Sequence, residues 1–229
     1  MNDILKRLKG KLIVSCQALD DEPLHGSLFM ARMAAAACLG GASGIRANTV
    51  ADIRAIQKDV GVPIIGIIKK VYPDSGVYIT PTMDEVDALV EANADIIAMD
   101  ATGRARPFGK TLDEFFPEVR GKYPDQLFMA DASCFEEGLK ARDLGFDIIG
   151  TTLAGYTDYT AGRALPDIEL MKRLARHIGL PIFAEGGIRS PEQLKQVMET
   201  GVFAAVVGSA ITRPDFITKM YADVLKKDI

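Results

Sequence analysis

The chain is poor in the residues from which metal centres and disulfide frameworks are built. Its 229 residues hold two histidines and three cysteines. His25 and His177 stand far apart, no HxxxH or Cys/His cluster occurs, and no metal site is expected. Cys16, Cys38 and Cys134 are odd in number and lack CxxC spacing, so they read as reduced thiols. Met1-Asn2-Asp3-Ile4-Leu5-Lys6 does not open a signal peptide, which with the thiols gives a cytoplasmic protein as the expectation. No apolar run approaches the ~18 residues that a membrane-spanning helix needs. Basic residues are not in excess: 27 Lys and Arg against 31 Asp and Glu leave a net charge of −4. That argues against nucleic acid or an anionic membrane as the main partner. It leaves room for a small anionic ligand, which a local nest of amides and one arginine can hold on an acidic protein. A dinucleotide GxGxxG is missing too, so no redox cofactor is expected.

What is present is a regular alternation of two patterns. Short apolar runs lie at 12–16, 44–47, 64–68, 95–100, 127–131, 147–152, 181–185 and 204–208, and most are continuously hydrophobic, as strands buried on both faces should be. Amphipathic helical stretches lie between them at 27–39, 50–60, 83–92, 112–123, 135–144, 167–177, 191–200 and 214–226. The run starts give a repeat of 20–34 residues. Right-handed crossovers then carry each strand to the next, and eight such units predict one (β/α)8 barrel domain over 1–229 rather than an open doubly wound sheet. Gly40-Gly41, Gly61, Gly145, Gly179 and Gly201 follow helices, where a left-handed cap is expected. The segment 71–81 (VYPDSGVYITP) is longer than a minimal connection and reads either as a lid or as a surface loop. The segment 158–165 has the same character.

The last two units carry the strongest functional signal. Ile182-Phe183-Ala184-Glu185-Gly186-Gly187-Ile188 and Ala204-Ala205-Val206-Val207-Gly208-Ser209 each end in small residues before a helix. Ser190-Pro191-Glu192-Gln193 supplies a cap, a first-turn proline and a polar residue three after the cap. Exposed amides backed by helix dipoles bind phosphate. In a (β/α)8 barrel the loops after strands 7 and 8 form that site. The expectation is an enzyme acting on a small phosphorylated molecule.

Barrel enzymes place their chemistry where the strands end. Those positions hold Gln17, Arg46, Lys69 or Lys70, Asp100, Asp131, Thr151 or Thr152, Glu185, and Gly208-Ser209 with Arg213 beyond. No serine–histidine pair or paired metal carboxylates occur among them. A lysine in a closed, partly apolar site gives up its proton more easily and serves as a base near neutral pH. A carboxyl group in the same pocket holds its proton and serves as an acid. Two such groups on opposite faces of one carbon next to a carbonyl can take a proton from one side and return one to the other, which is epimerisation. Plainer roles exist for each. Terminal lysines are commonly solvated, Asp131 can cap the following helix, and Arg46 can pair with Asp131 or Asp100. Cys16 can pack in the core. Glu185, between Ala184 and Gly186 at the mouth of a buried strand, is costly to place without a purpose. The basic loop Arg104-Ala105-Arg106-Pro107 reads as solvated.

The string itself resembles a known family. Ser15-Cys16-Gln17-Ala18-Leu19, Ile64-Ile65-Gly66-Ile67-Ile68-Lys69, Thr151-Thr152-Leu153-Ala154-Gly155-Tyr156-Thr157 and Gly208-Ser209-Ala210-Ile211-Thr212-Arg213-Pro214 are similar in combination to the N-acetylmannosamine-6-phosphate 2-epimerases, from Lys11 to Arg213. The resemblance implies cofactor-free interconversion of N-acetylmannosamine 6-phosphate and N-acetylglucosamine 6-phosphate in sialic-acid catabolism. It selects Lys69 as the catalytic lysine and Glu185 as its partner. It implies sugar contacts from Gln17, Arg46, Asp131, Thr152 and Tyr156, and phosphate contacts from Gly187, Gly208, Ser209 and Arg213. Some members of that family carry a larger residue such as arginine where this chain has Gly187. Other readings are a different phosphosugar isomerase, an aldolase using the lysine as a Schiff base, or a non-catalytic phosphosugar-binding protein. The oligomeric state stays open, a homodimer included.

Overall fold

The computed structural model describes residues 2–226. Eight parallel strands close on themselves in chain order: β1 (Leu12–Cys16), β2 (Gly44–Asn48), β3 (Ile64–Ile67), β4 (Ile96–Asp100), β5 (Leu127–Asp131), β6 (Ile148–Gly150), β7 (Ile182–Ala184) and β8 (Ala204–Val207). Closure is made by β1, which sets Ile13 opposite Gly44 on one side and Leu12 opposite Ala205 on the other. The barrel predicted from the sequence is therefore present, with strand ends that differ by a residue or two. Helices α2 (Ser27–Leu39), α3 (Val50–Asp59), α4 (Met83–Glu91), α5 (Leu112–Lys122), α6 (Phe135–Leu144), α7 (Ile168–His177), α8 (Pro191–Glu199) and α10 (Pro214–Leu225) cover the outside. Two further helices, α1 (Asp3–Leu8) and α9 (Ser209–Thr212), are not foreseen by the periodicity.

Strand side chains alternate between two packed layers. Ile13, Ile65, Ile67, Met129, Phe183 and Val206 point inward and fill the barrel, while Val14, Ile45, Ile64, Phe128, Ile149 and Ala205 pack against the helices. Each of these side chains larger than alanine contributes roughly 1.5–3 kcal/mol on burial. The short α1 closes the bottom, because Leu5 and Leu8 belong to the interior cluster. Gly150 keeps β6 thin where the interior is crowded. A Cβ there would lie 2.3 Å from Met129 Cε and 3.2 Å from Asp131 Oδ1.

Three local expectations change. Gly41, Gly145, Gly179 and Gly201 adopt left-handed φ, but Gly40 (φ −75°) and Gly61 do not. At the end of α3 the helix is instead stopped by extended Val60. The loop Arg104–Pro107 is not solvated throughout, since Arg106 is 2% exposed. Its guanidinium donates to the carbonyls of Thr80 (2.8 Å), Pro81 (2.9 Å) and Asp100 (2.5 Å) and lies over the Phe115 ring. Burial pushes its pKa down to about 10, and the three carbonyls offset that cost.

The long segment after β3 is anchored by what Arg106 holds. Lys69 bridges Ile79 in antiparallel fashion. Lys70 N–H donates to Tyr78 O at 2.9 Å, Thr80 N–H to Ile68 O at 2.7 Å, and Asp100 N–H to Ile79 O at 3.0 Å. Residues 78–80 thus sit as a wedge between the ends of β3 and β4, and Ile79 joins the interior cluster. Thr80 pays for this with φ +46°, an uncommon conformation for a β-branched residue. Its Oγ1 donates to Ala98 O at 2.7 Å, which helps to fix it there.

Candidate active site

The inward layer decides which strand-end residues face the mouth of the barrel. Side chains two apart share a face. Lys69 follows Ile67, Asp131 follows Met129, Thr152 follows Gly150, Glu185 follows Phe183 and Gly208 follows Val206, so all of these point inward. Lys70 and Thr151 have the other parity. Lys70 pairs outside with Glu85 at 3.0 Å. Thr151 instead fixes the backbone of Glu185: its hydroxyl donates to Glu185 O at 2.7 Å and accepts from Glu185 N–H at 2.9 Å.

A cavity of about 290 Å³ opens at this face, lined by Ser15, Gln17, Arg46, Lys69, Tyr78, Thr152, Tyr156, Glu185, Gly187, Arg189, Gly208, Ser209, Arg213 and Phe216 among others. Every site residue predicted from the sequence lines it except Asp131, which is fully buried behind Arg46. Asp100 lies elsewhere, paired with Arg104 at 2.6 Å. His25 and His177 lie outside the cavity lining. Among the described residues no group of three or more His, Cys, Asp or Glu is placed to hold a metal ion. None of their helices is long and apolar enough to cross a membrane.

Arg46 is the hub. Its guanidinium grips Asp131 with both terminal nitrogens, at 3.0 and 2.7 Å, and donates a third bond to Glu185 Oε2 at 3.1 Å. Two-point contacts of this kind are strong and directional. Burial alone would lower the pKa of Arg46, but Asp131 and Glu185 hold it above its ordinary value. The Thr152 hydroxyl lies 2.6 Å from Asp131 Oδ1 and 3.1 Å from Glu185 Oε2. It has one hydrogen to give. That hydrogen can serve one of the two carboxyl groups at a time.

The two candidate proton carriers are displaced toward each other in proton affinity. Burial pushes the Lys69 amine below its ordinary pKa, and the nearby Arg46 charge pushes the same way. Burial raises the Glu185 carboxyl, and the negative Asp131 adds to the rise, while Arg46 opposes it. Both shifts follow from removing a charged form from water. Lys69 leaves β3 and Glu185 leaves β7, four strands apart in a ring of eight. Their side chains therefore approach the cavity from opposite sides.

The other end of the cavity is built from backbone. Gly186 and Gly187 have left-handed φ of +104° and +71°, and Gly208 turns the chain into α9. The amides of Gly187 and Ser209 donate to no group among the described residues. Leu165 packs tightly here, and a Cβ on Gly187 would come within 2.3 Å of the Leu165 Cβ. Ser190 caps α8, accepting from Gln193 N–H at 3.3 Å, while Gln193 Oε1 accepts from Arg189 N–H at 2.7 Å. Arg213 is paired with Glu22.

Two buried polar atoms in the cavity wall, Gln17 Oε1 and Arg46 Nε, have no partner among the described residues. Gln17 is oriented by Ser15, whose Oγ accepts from Gln17 Nε2 at 2.7 Å. An acceptor and a donor held in this way are suited to a polar ligand. Ser15, Tyr78 and Arg189 also line the cavity, and sequence reasoning missed all three. The inward parity of β1 marks Ser15. The position of Tyr78 depends on the wedge, for which no local pattern exists.

Comparison with known proteins points one way. A family profile described as "Putative N-acetylmannosamine-6-phosphate epimerase" matches residues 30–227. A protein of Caldanaerobacter subterraneus subsp. tengcongensis is 52% identical over 225 residues, covering 98% of this chain and 95% of the relative. One from Listeria innocua is 50% identical over 228 residues, covering 99% of both. Both are described in the same terms as 2-epimerases. The solved N-acetylmannosamine-6-phosphate 2-epimerase from Clostridium perfringens superposes with a TM-score of 0.93 at 48% identity, over 97% of this chain and 96% of that one. Thiamine phosphate pyrophosphorylase from Pyrococcus furiosus shares the fold alone, with a TM-score of 0.62 at 19% identity.

Proposed function

The chain belongs to the N-acetylmannosamine-6-phosphate epimerase family, and on that premise we propose that it interconverts N-acetylmannosamine 6-phosphate and N-acetylglucosamine 6-phosphate at C2. The two sugars differ only in configuration at that carbon. In the open chain C2 stands beside the C1 aldehyde, so its proton is acidic enough for a side chain to remove. The observation that carries the proposal is the opposition of Lys69 and Glu185 across the cavity, with Arg46 bonded to Glu185.

In one direction the neutral Lys69 amine takes the C2 proton and becomes an ammonium. The electrons of the broken C–H bond form an enolate with negative charge on O1. Arg46, a cation already fixed by Asp131, is suited to stabilise that oxygen. Glu185 then gives its proton to the opposite face of C2 and becomes a carboxylate. The lysine has gained the proton that the glutamate has lost, and passing one from Lys69 back to Glu185 resets the pair. In the reverse direction the roles exchange. Asp131 acts through Arg46 and Thr152 as a positioning residue, since it does not reach the cavity. Gln17, Thr152 and Tyr156 are suited to the sugar, and the amides of Gly187, Gly208 and Ser209, with Arg213 beside them, to the 6-phosphate.

The test is proton NMR of the protein with N-acetylmannosamine 6-phosphate in D2O. Formation of N-acetylglucosamine 6-phosphate with deuterium at C2 is the expected result. A folded protein that binds the sugar phosphate without converting it or exchanging its C2 proton would overturn the proposal.

A further inference from the structure

We infer that Arg189, held by Phe216, supplies the principal positive charge for the substrate phosphate; this rests on the proposed activity. Three observations lead to it. First, Arg189 and Phe216 both line the cavity at the end where Gly187, Gly208 and Ser209 present their backbone. Second, the other guanidinium at that end, Arg213, is ion-paired with Glu22, whereas Arg189 has no carboxylate within salt-bridge distance among the described residues. Third, Arg189 is held at both ends. Its backbone N–H donates to Gln193 Oε1 at 2.7 Å, and its guanidinium carbon lies 5.5 Å from the centre of the Phe216 ring.

The chemistry fits a phosphate monoester. Such a group carries about −1.5 to −2 charges near neutral pH. Backbone amides supply only partial charges, so a dianion needs at least one cation that is not already neutralised. A planar guanidinium meets two phosphate oxygens at once. The cation–π contact with Phe216 limits its freedom before the ligand arrives, so less order remains to be imposed on binding. The arrangement also gives α10 a task at the site. None of that helix's residues is fully buried, and Phe216, in its first turn, is its member in the cavity wall.

The experiment compares wild type with Arg189→Ala, Arg189→Lys and Phe216→Leu. Steady-state kinetics with N-acetylmannosamine 6-phosphate are combined with titration calorimetry of inorganic phosphate. Losing a charge-assisted bond of this type raises KM and the phosphate Kd together by about 10- to 100-fold in Arg189→Ala. The kcat should change far less, because the phosphate is remote from C2. Arg189→Lys should fall between the two, and Phe216→Leu should weaken phosphate binding only while Arg189 is present. An unchanged phosphate Kd in Arg189→Ala overturns the inference, as does a loss confined to kcat. If wild type turns over no substrate, the epimerase reading fails, and the phosphate titration still decides the role of Arg189.

Discussion

Replacing Asp131 by asparagine separates the structural from the chemical role of the Arg46 hub. The change keeps the shape and removes one negative charge from a pair whose members are 1% and 0% exposed. Breaking a buried ion pair by deleting one partner costs about 3–5 kcal/mol. Here Arg46 keeps Glu185 at 3.1 Å, so the lower end, about 3 kcal/mol, is expected. For a domain of this size that lowers Tm by roughly 6–12 °C. The effect on chemistry has a definite sign. Asp131 helps to hold the Glu185 proton on, so in Asp131→Asn the pKa of Glu185 falls and the limb it controls in the pH–rate profile moves to lower pH. Each unit of that fall costs about tenfold in protonated Glu185 at pH well above the original value, and less between the two. Linkage gives a second readout. A carboxyl whose pKa the fold raises contributes stability below its unfolded value and loses it as pH climbs through the raised one. That loss moves to lower pH in the variant. A lower Tm with an unmoved Glu185 limb would reduce Asp131 to a structural anchor. Unchanged Tm and unchanged limb together would refute the hub.

Further substitutions test the two proton carriers and the interior. Lys69→Ala should stop C2 exchange in D2O from whichever of the two sugar phosphates it deprotonates, a loss of about 10²–10⁴-fold or more. Glu185→Gln should still exchange that proton through Lys69 while failing to invert the carbon, and equal loss of both in each variant would contradict separate roles. Borohydride added during turnover should leave activity intact, since proton transfer forms no reducible imine; substrate-dependent inactivation would favour the aldolase chemistry. Gly150→Ala should destabilise by about 1–3 kcal/mol in denaturant melts through overpacking against Met129 and Asp131, and wild-type stability would show that the interior yields more easily than the 2.3 Å approach implies.

The barrel is legible in the sequence because strands buried on both faces leave uninterrupted apolar runs and the intervening helices keep their period. The same property hides the site. A strand without polar alternation does not announce which face lines the interior, so Lys69 and Lys70 are equivalent by spacing alone and only the family resemblance separates them. Once Ile65 and Ile67 are known to point inward, parity makes the choice. Tyr78 and Arg106 are illegible for another reason. Each is fixed by distant backbone: Tyr78 by the gap between β3 and β4, Arg106 by three carbonyls that any residue would supply. The helix α1 is too short for periodicity, and its Leu5 and Leu8 matter only because the barrel has an open floor.

The wedge at residues 78–80 also bears on how molecules come and go. With its carbonyls tied to Lys70, Asp100 and Arg106, that side of the mouth is a fixed door jamb rather than a door. The exposed Tyr156 and the Glu22–Arg213 pair lie on other connections, after β6, β1 and β8, away from that jamb. Shortening the tip at residues 73–76 should then leave kcat unchanged.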